Sequence, residues 1–388
     1  MRLAIIGGGP AGSATAIRAL QQAEKANKDI EVIIYEGKDF SKEGDRNFNQ
    51  CVGVLSYPFE DLFEELDVEL PESMKQQDIK GYRLRTNTVD ITLPSPEDHR
   101  TVALRRIELD DYLLGKAKQM GAQVVHGRVN DLDFFPNRVG VSSDARGIIK
   151  ANAVVGAFGL NEEGAALLDK QGYEMPNQMD TIVTRMPANE SLDGFIQAFL
   201  LPIPGMEFGA ITPKEDHLVA NAAGEGITSE TLEAFLNHPK VRPLLSQKEN
   251  LPFYKGRFPT TQANNLYGNR YVTVGDASGL LRAFKGKGIN SAIKQGILAA
   301  DTVVNHGVTS KDFKENYLRK LQGIRDDFKY GALTRSLVNL GVKTGLLDRA
   351  LKRYETHPVL RDALYGAVSG DKLYRDIYLD TASGILRS

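Results

Sequence analysis

The opening twelve residues constrain this chain more than any other stretch. Arg2-Leu3-Ala4-Ile5-Ile6 is a short apolar run of strand character, and Gly7-Gly8-Gly9-Pro10-Ala11-Gly12 follows at once. Residues 11 to 25 are rich in small residues before they turn to Gln and Glu, which predicts a helix. Glu31 to Tyr35 is a second strand, rich in β-branched residues. A strand, a G-x-G-x-x-G turn, a helix and a strand in that order open a βαβ unit that binds a dinucleotide. Gly7 permits the tight turn, Gly9 lets the backbone approach a pyrophosphate, and Gly12 allows close helix–strand packing. Pro10 and Ala11 open a helix whose free N–H groups and positive dipole end suit phosphate. Glu36 lies 24 positions after Gly12 and is followed by Gly37. That is near the usual spacing of about 20 for the acid that accepts ribose hydroxyl hydrogen bonds.

Charge and cysteine content narrow the class. With 48 basic against 50 acidic residues there is no basic footprint for nucleic acid. Cys51 is the single cysteine, so no intrachain disulfide can form, as suits a reducing compartment. The N-terminus lacks a signal-peptide pattern, and no apolar run reaches spanning length. The expectation is a cytoplasmic protein, with peripheral contact at a membrane left open. The histidines 99, 126, 217, 238, 306 and 357 have no ligand spacing, so no metal is expected.

Along the chain, residues 81 to 93 alternate like a half-solvated strand and 108 to 120 read as an amphipathic helix. Strands are expected at 123 to 126, 138 to 142 and 150 to 158. Between 180 and 222, β-type segments are broken by Pro202, Pro204 and Pro213, which predicts a mostly antiparallel sheet. Residues 230 to 246 read as helix, 271 to 274 as strand, and the chain after Gly288 as mainly helical. In the segment 331 to 353, Leu333, Leu337, Leu340, Leu347 and Leu351 recur near helical spacing among Arg335, Lys343, Arg349, Lys352 and Arg353. Such a helix can lie on an anionic membrane, but packing on its own domain is the expectation.

A second motif lies far from the first. The strand Tyr271 to Val274 ends in Gly275-Asp276, and Gly286-Lys287-Gly288-Ile289-Asn290 opens another helix. An Asp at such a turn can accept hydrogen bonds from a ribityl chain, and the helix start offers N–H groups to an electron-rich carbonyl. Together the two ends resemble the para-hydroxybenzoate hydroxylase-like FAD superfamily, and within it the geranylgeranyl reductase family. The Gly275-Asp276 turn and the Gly286 to Asn290 segment resemble the family's flavin segment. Arg106-x-x-Leu109-Asp110-x-x-Leu113 is similar to a family helix whose Arg approaches the cofactor. Val129 follows a strand where the family contacts adenine, and Cys51-Val52-Gly53 resembles the reductases' Cys-Gly segment. There are departures. Gly156-Ala157-Phe158-Gly159 stands where the family carries Gly-Ala-Asp-Gly. Phe208-Gly209-Ala210-Ile211-Thr212-Pro213 stands where the reductases carry Tyr-x-Trp-x-Phe-Pro, so two large rings are absent.

The resemblance implies an α/β chain (α+β overall) with a Rossmann-type FAD-binding domain over 1–75, 100–165 and 255–310. A mostly antiparallel β substrate domain, from 76–99 and 166–254, is inserted in it, and 311–388 is a helical C-terminal region. FAD would be the cofactor, with NADPH or ferredoxin as electron donor and an electron-transfer protein as a partner. The activity implied is reduction of carbon–carbon double bonds in an isoprenoid or lipid-like substrate touching Phe208, Ala210 and Thr212. Cys51 and Lys287 are the candidate catalytic residues: a thiol beside the flavin, and a cation able to stabilise an anionic reduced flavin. The alternatives are a flavin monooxygenase and a catalytically silent FAD-binding partner. A halogenase is set aside because its motif needs tryptophan and this chain has none.

Overall fold

The computed structural model describes residues 1–41, 51–188, 192–246, 252–282 and 288–386. Its centre is a six-stranded sheet, and Arg2–Ile6 lies in the interior of that sheet, flanked by Glu31–Glu36 on one side and Ala153–Gly156 on the other. Gln123–His126 and Tyr271–Thr273 extend it in parallel, and Tyr267–Gly268 ends it as an antiparallel edge. Leu3, Ala4, Ile5, Val32, Ile33 and Ile34 are completely or almost completely buried. Burial on both faces explains why these strands read as unbroken apolar runs rather than alternations.

Two helices cover this sheet together. Pro10–Lys25 starts with Pro at its first turn, where a missing N–H costs nothing. Gly288–Asn305 packs against it at backbone distance, since a Cβ at Gly296 would come within 2.5 Å of the Ala11 carbonyl oxygen. The small residues of both helices thus bring two segments far apart in the chain into contact.

The antiparallel part is a seven-stranded sheet in the order Phe253–Pro259, Gln178–Pro187, His217–Gly224, Phe208–Pro213, Phe195–Phe199, Gly81–Arg85, Asp90–Pro94. All neighbours are antiparallel except Phe195–Phe199 with Gly81–Arg85. Ile182, Phe199 and Ile211 of this sheet pack with Leu232 and Phe235 of the helix Ser229–Asn237. At the far end Tyr82, Leu84, Ile196 and Ala198 meet Leu351, Leu364, Tyr365 and Val368 from the C-terminal helices. Phe253–Pro259 pairs along Gln178–Pro187, so the sheet continues past residue 254, where the sequence reading placed its boundary.

Several expectations are corrected. Residues 150 to 158 form two strands, Gly147–Ala151 and Ala153–Gly156, in different sheets. The chain turns the corner at Asn152, whose Oδ1 accepts from the Arg2 N–H at 2.7 Å and whose carbonyl accepts from Arg270 at 2.9 Å. The segment 230 to 246 is helical only over Ser229–Asn237, followed by a short 3-10 turn, Arg242–Leu244. Pro239 forces His238 out of helical backbone, to φ −61°, ψ 138°. Residues 81 to 93 are a hairpin closed by the Thr86 N–H donating to the Val89 carbonyl at 2.9 Å. Strand Val129–Phe135 was not anticipated; it pairs with Arg138–Ser143.

The segment 331 to 353 is two helices, Gln322–Thr344 and Leu346–Thr356, divided by Gly345 at φ +69°. Only part of its apolar stripe packs. Leu351 is buried, but Leu333, Leu337 and Leu340 are about half exposed. The reason is geometric: the helix lies on its neighbours through Asp327, Gly331 and Gly341, which turns those three leucines outward.

Candidate functional site

The glycine turn is as tight as the motif requires. Gly7 has φ +107°, and a Cβ there would meet the Ala157 carbonyl oxygen at 2.3 Å. A Cβ at Gly12 would lie 1.9 Å from the Gly7 carbonyl oxygen, inside any allowed contact. At Gly9 a Cβ would meet nothing within 4 Å, so its backbone borders open space at the start of the helix. Glu36 is fixed by two backbone donors, the Gly8 N–H to Oε2 and the Lys38 N–H to Oε1, both at 2.7 Å.

These groups line a cleft of about 860 Å³. Gly7, Gly9, Pro10, Ala11, Glu36 and Gly37 border one stretch of it, and Val129 another. Arg106, Gly275, Asp276 and Gly288 also border it. Gly12 stays behind the turn as packing. The second glycine turn abuts the first helix: Gly275 has φ +66°, and a Cβ on it would touch the Ala11 side chain at 3.0 Å. Two motifs more than 250 positions apart therefore share one wall.

Next to this cleft is a second cavity of about 620 Å³ with a largely apolar lining. Phe208, Ala210 and Thr212 face it from alternate positions of one strand. Val183 and Asn221 continue the floor, Cys51 and Ile289 lie at the end towards the cleft, and Val338, Leu351 and Leu364 close it from the C-terminal helices. The cleft and the cavity share Lys38, Arg106, Gly256, Arg257, Asp276 and Gly288. Asn290 holds the helix start in place by donating to the Ser56 carbonyl at 2.6 Å. Gly286 and Lys287 lie outside the described residues.

Arg106 and Asp110 form the charged centre of the junction. Nε of Arg106 donates to Oδ1 of Asp110 at 2.6 Å, one helical turn away, and the carboxylate is nearly inaccessible. Burial is the largest single effect and disfavours the Arg106 charge, but Asp110, Cys51 and Asp276 together outweigh it and raise its pKa. Burial raises Asp110 above the usual carboxylate range, against the pull of Arg106. Asp276 is raised by burial too, and Arg106 draws it back. Glu108, on the same helix, pairs with Arg105 at 2.9 Å.

Sequence reasoning missed three residues. Gln295 is fully buried; its Oε1 accepts from the Gly275 N–H at 3.0 Å, from the Tyr317 hydroxyl at 3.1 Å and from Ser278, and its Nε2 donates to the Leu280 carbonyl. This network holds the second glycine turn. A Gln within an otherwise apolar helical face was the available signal. Asn221 sits on the cavity floor, in a strand otherwise rich in Ala.

Lys214 is the third. Its Nζ donates to the Leu104 carbonyl, and a Cβ on Gly53 would lie 3.1 Å from that nitrogen, two residues from Cys51. Burial pushes Lys214 down to about 8 from an ordinary 10.5, with Arg185 and Arg105 adding repulsion. Between these values the unfolded chain holds more protons than the folded one. Stability therefore rises with pH; the contribution is complete above 10.5 and is lost as pH falls through 8. The Lys214→Met variant should lose this slope and be more stable than wild type at neutral pH, by up to roughly 3 kcal/mol. Thermal unfolding across that window checks it; equal slopes for the two proteins would refute it.

No family model matches the chain. Among curated relatives, geranylgeranyl diphosphate reductase of Synechocystis is 24% identical over 358 residues, covering 86% of this chain and 82% of its own length. A probable electron transfer flavoprotein-ubiquinone oxidoreductase of Schizosaccharomyces pombe is 23% identical, covering 90% and 65%. The chain is similar to geranylgeranyl diphosphate reductases and to other FAD-dependent oxidoreductases. Solved structures agree on the fold. A geranylgeranyl bacteriochlorophyll reductase-like protein of Thermoplasma acidophilum superposes with a TM-score of 0.69 at 18% identity, covering 88% of this chain and 90% of that one. The flavin-dependent brominase Bmp2 gives 0.71 at 16% identity, with both chains covered completely.

Proposed function

We propose that this protein holds FAD in the glycine-lined cleft and reduces a carbon–carbon double bond of an isoprenoid or lipid-like substrate in the adjoining cavity. One observation carries this reading: a dinucleotide-type cleft and an apolar cavity of ligand size open onto each other at Arg106, Asp276 and Gly288.

The residues present fit the cofactor. Gly9 leaves room for a pyrophosphate at a helix start, where N–H groups and the dipole favour negative charge. Glu36 keeps lone pairs for ribose hydroxyls after accepting from Gly8 and Lys38. Val129 would border the adenine, and Asp276 and the Gly288 helix start would face the ribityl and ring portions. When bound, FAD supplies the hydride. The chain's own part is to orient the alkene and exclude water. Val183, Ala198, Ala210 and Leu351 give the cavity its dry lining, and Cys51 borders the end nearest the cleft. Ala210 and Thr212 open floor space that larger rings would fill, which favours a bulky or folded chain over a thin one. The electron-transfer name among the relatives supports a protein carrier as electron donor alongside NADPH.

The test uses the FAD-loaded protein, reduced without oxygen and mixed with geranylgeranyl diphosphate. Reoxidation of the flavin with formation of a more saturated product is expected. Ala210→Trp should slow it by about a hundredfold by filling the cavity, with the flavin still bound. A reduced flavin that ignores the alkene but reacts with oxygen to hydroxylate an added ligand would overturn the reductase reading in favour of a monooxygenase.

A further inference from the structure

The helix Gln322–Thr344 has two apolar sides, and only one has a known use. Thr334 and Val338 line the apolar cavity. One step round the helix, Leu333, Leu337 and Leu340 recur at four- and three-residue intervals and are 48%, 52% and 57% exposed. Leu346 continues the row just past the Gly345 turn, at 54%. Ordinary soluble surfaces scatter such residues singly, whereas a contiguous row marks an interaction face.

The charge beside this row has one sign. Residues 331 to 353 contain Arg335, Lys343, Arg349, Lys352 and Arg353 against the single acid Asp348, in a chain whose net charge is −2. Lys343, Arg349 and Lys352 are exposed next to the leucines, while Arg335 is turned in to Glu207 at 3.3 Å. Asp348 is engaged by the Thr88 hydroxyl. Among the described residues no helix is long and apolar enough to cross a membrane.

We infer that this face docks on an anionic lipid bilayer, so that the wall separating the cavity from solvent becomes the wall facing the membrane. The inference rests on the lipid-like substrate reading above and deepens it: a substrate leaving the bilayer would meet the cavity across one helix thickness. Leucines enter the headgroup boundary while Lys343, Arg349 and Lys352 meet anionic headgroups. A second copy of the chain is the poorer occupant, because a two-fold contact sets the same basic flank against itself.

The experiment is vesicle co-sedimentation of the full FAD-loaded chain, read as bound fraction without turnover. Vesicles of phosphatidylcholine with roughly a third phosphatidylglycerol should bind it, and pure phosphatidylcholine much less, with salt weakening the difference. Leu337→Ser/Leu340→Ser should lower partitioning by about tenfold while FAD content and thermal stability stay as in wild type. Lys343→Gln/Arg349→Gln should lower it by a similar factor on anionic vesicles only. Equal sedimentation of wild type and the leucine variant overturns the inference. So does a wild-type dimer, seen by sedimentation velocity, that the leucine variant dissociates while neither protein binds vesicles. Because no catalysis is read, failure here leaves alkene reduction standing, and failure of alkene reduction leaves vesicle binding measurable.

Discussion

The Gly12→Ala variant should emerge without FAD and poorly folded, whereas Gly9→Ala should fold normally and still lose the cofactor. The two glycines share a motif but meet different surroundings. At Gly12 the new methyl would lie 1.9 Å from the Gly7 carbonyl oxygen, and both partners are backbone, so the helix Pro10–Lys25 must move off the sheet. That helix also carries Ala11 against Gly275 and Gly296, so the second glycine turn would shift with it. Overpacking of this kind costs roughly 1–3 kcal/mol where side chains can give way, and more where they cannot. At Gly9 the methyl meets nothing and projects beside the cleft, so the fold keeps its packing. Loss of about 3 kcal/mol of phosphate contact would weaken FAD by roughly a hundredfold. Gly115→Ala is the control: it lies within the helix Arg106–Gln119 with nothing near its Cβ, and should be neutral or slightly stabilising. Flavin absorbance per chain and thermal unfolding read all three. A yellow, stable Gly12→Ala protein would refute the packing argument, and a Gly9→Ala protein with undiminished flavin would refute the pyrophosphate site.

Arg106→Met should be the most destabilising change among the charged residues, by about 3–5 kcal/mol, because it strands the Asp110 carboxylate in a buried site. The pH dependence has a definite sign. Burial holds Asp110 above its ordinary value even with Arg106 present, and without the guanidinium it rises further. The cost therefore sets in as pH rises through the unfolded value of Asp110, is complete above its raised folded value, and vanishes below the unfolded value, where the carboxyl is neutral in both states. Arg106→Met/Asp110→Leu should recover most of the stability, since replacing both members of a buried pair by apolar groups is often neutral. FAD affinity separates structure from function. If Arg106 faces the cofactor, as its position at the junction supports, the stable double variant should still bind flavin weakly. Full affinity in the double variant would make Arg106 a structural residue only.

What could be read from the chain divides by the range of the interactions. The G-x-G-x-x-G turn, its strands and helix, and the acid at Glu36 are local, and their spacing alone predicts the geometry found, because turn sterics and helix-end N–H groups act within a few residues. The strand and turn at Gly275-Asp276 were legible for the same reason. One boundary failed where a tertiary partner decided it: Asn152 ends one strand because Arg2 and Arg270 bind it. Another was local and legible: Pro239 shortens a helix that periodicity extended. The alternation of Phe208, Ala210 and Thr212 could be seen in sequence, but not that Val338, Leu351 and Leu364 would arrive from the C-terminal helices to close the cavity above them. Lys214 was invisible because burial, not residue type, gives it its properties, and Gln295 left only the signal of a Gln on an apolar helical face.

The leucines between 333 and 351 state the division most clearly. Their spacing determined a helical stripe, since a 3.6-residue period needs only the chain itself. Which part of the stripe would be covered was not in that period. The helix rests on Asp327, Gly331 and Gly341, so Leu351 is buried while Leu333, Leu337 and Leu340 face outward. By itself the sequence determined a dinucleotide turn, its acid and the helical periods. The tertiary structure alone decided that two distant glycine turns share a wall, that a dry cavity opens beside them, and which apolar residues remain uncovered. Burial depends on what the rest of the chain brings to a surface, and no local pattern encodes that.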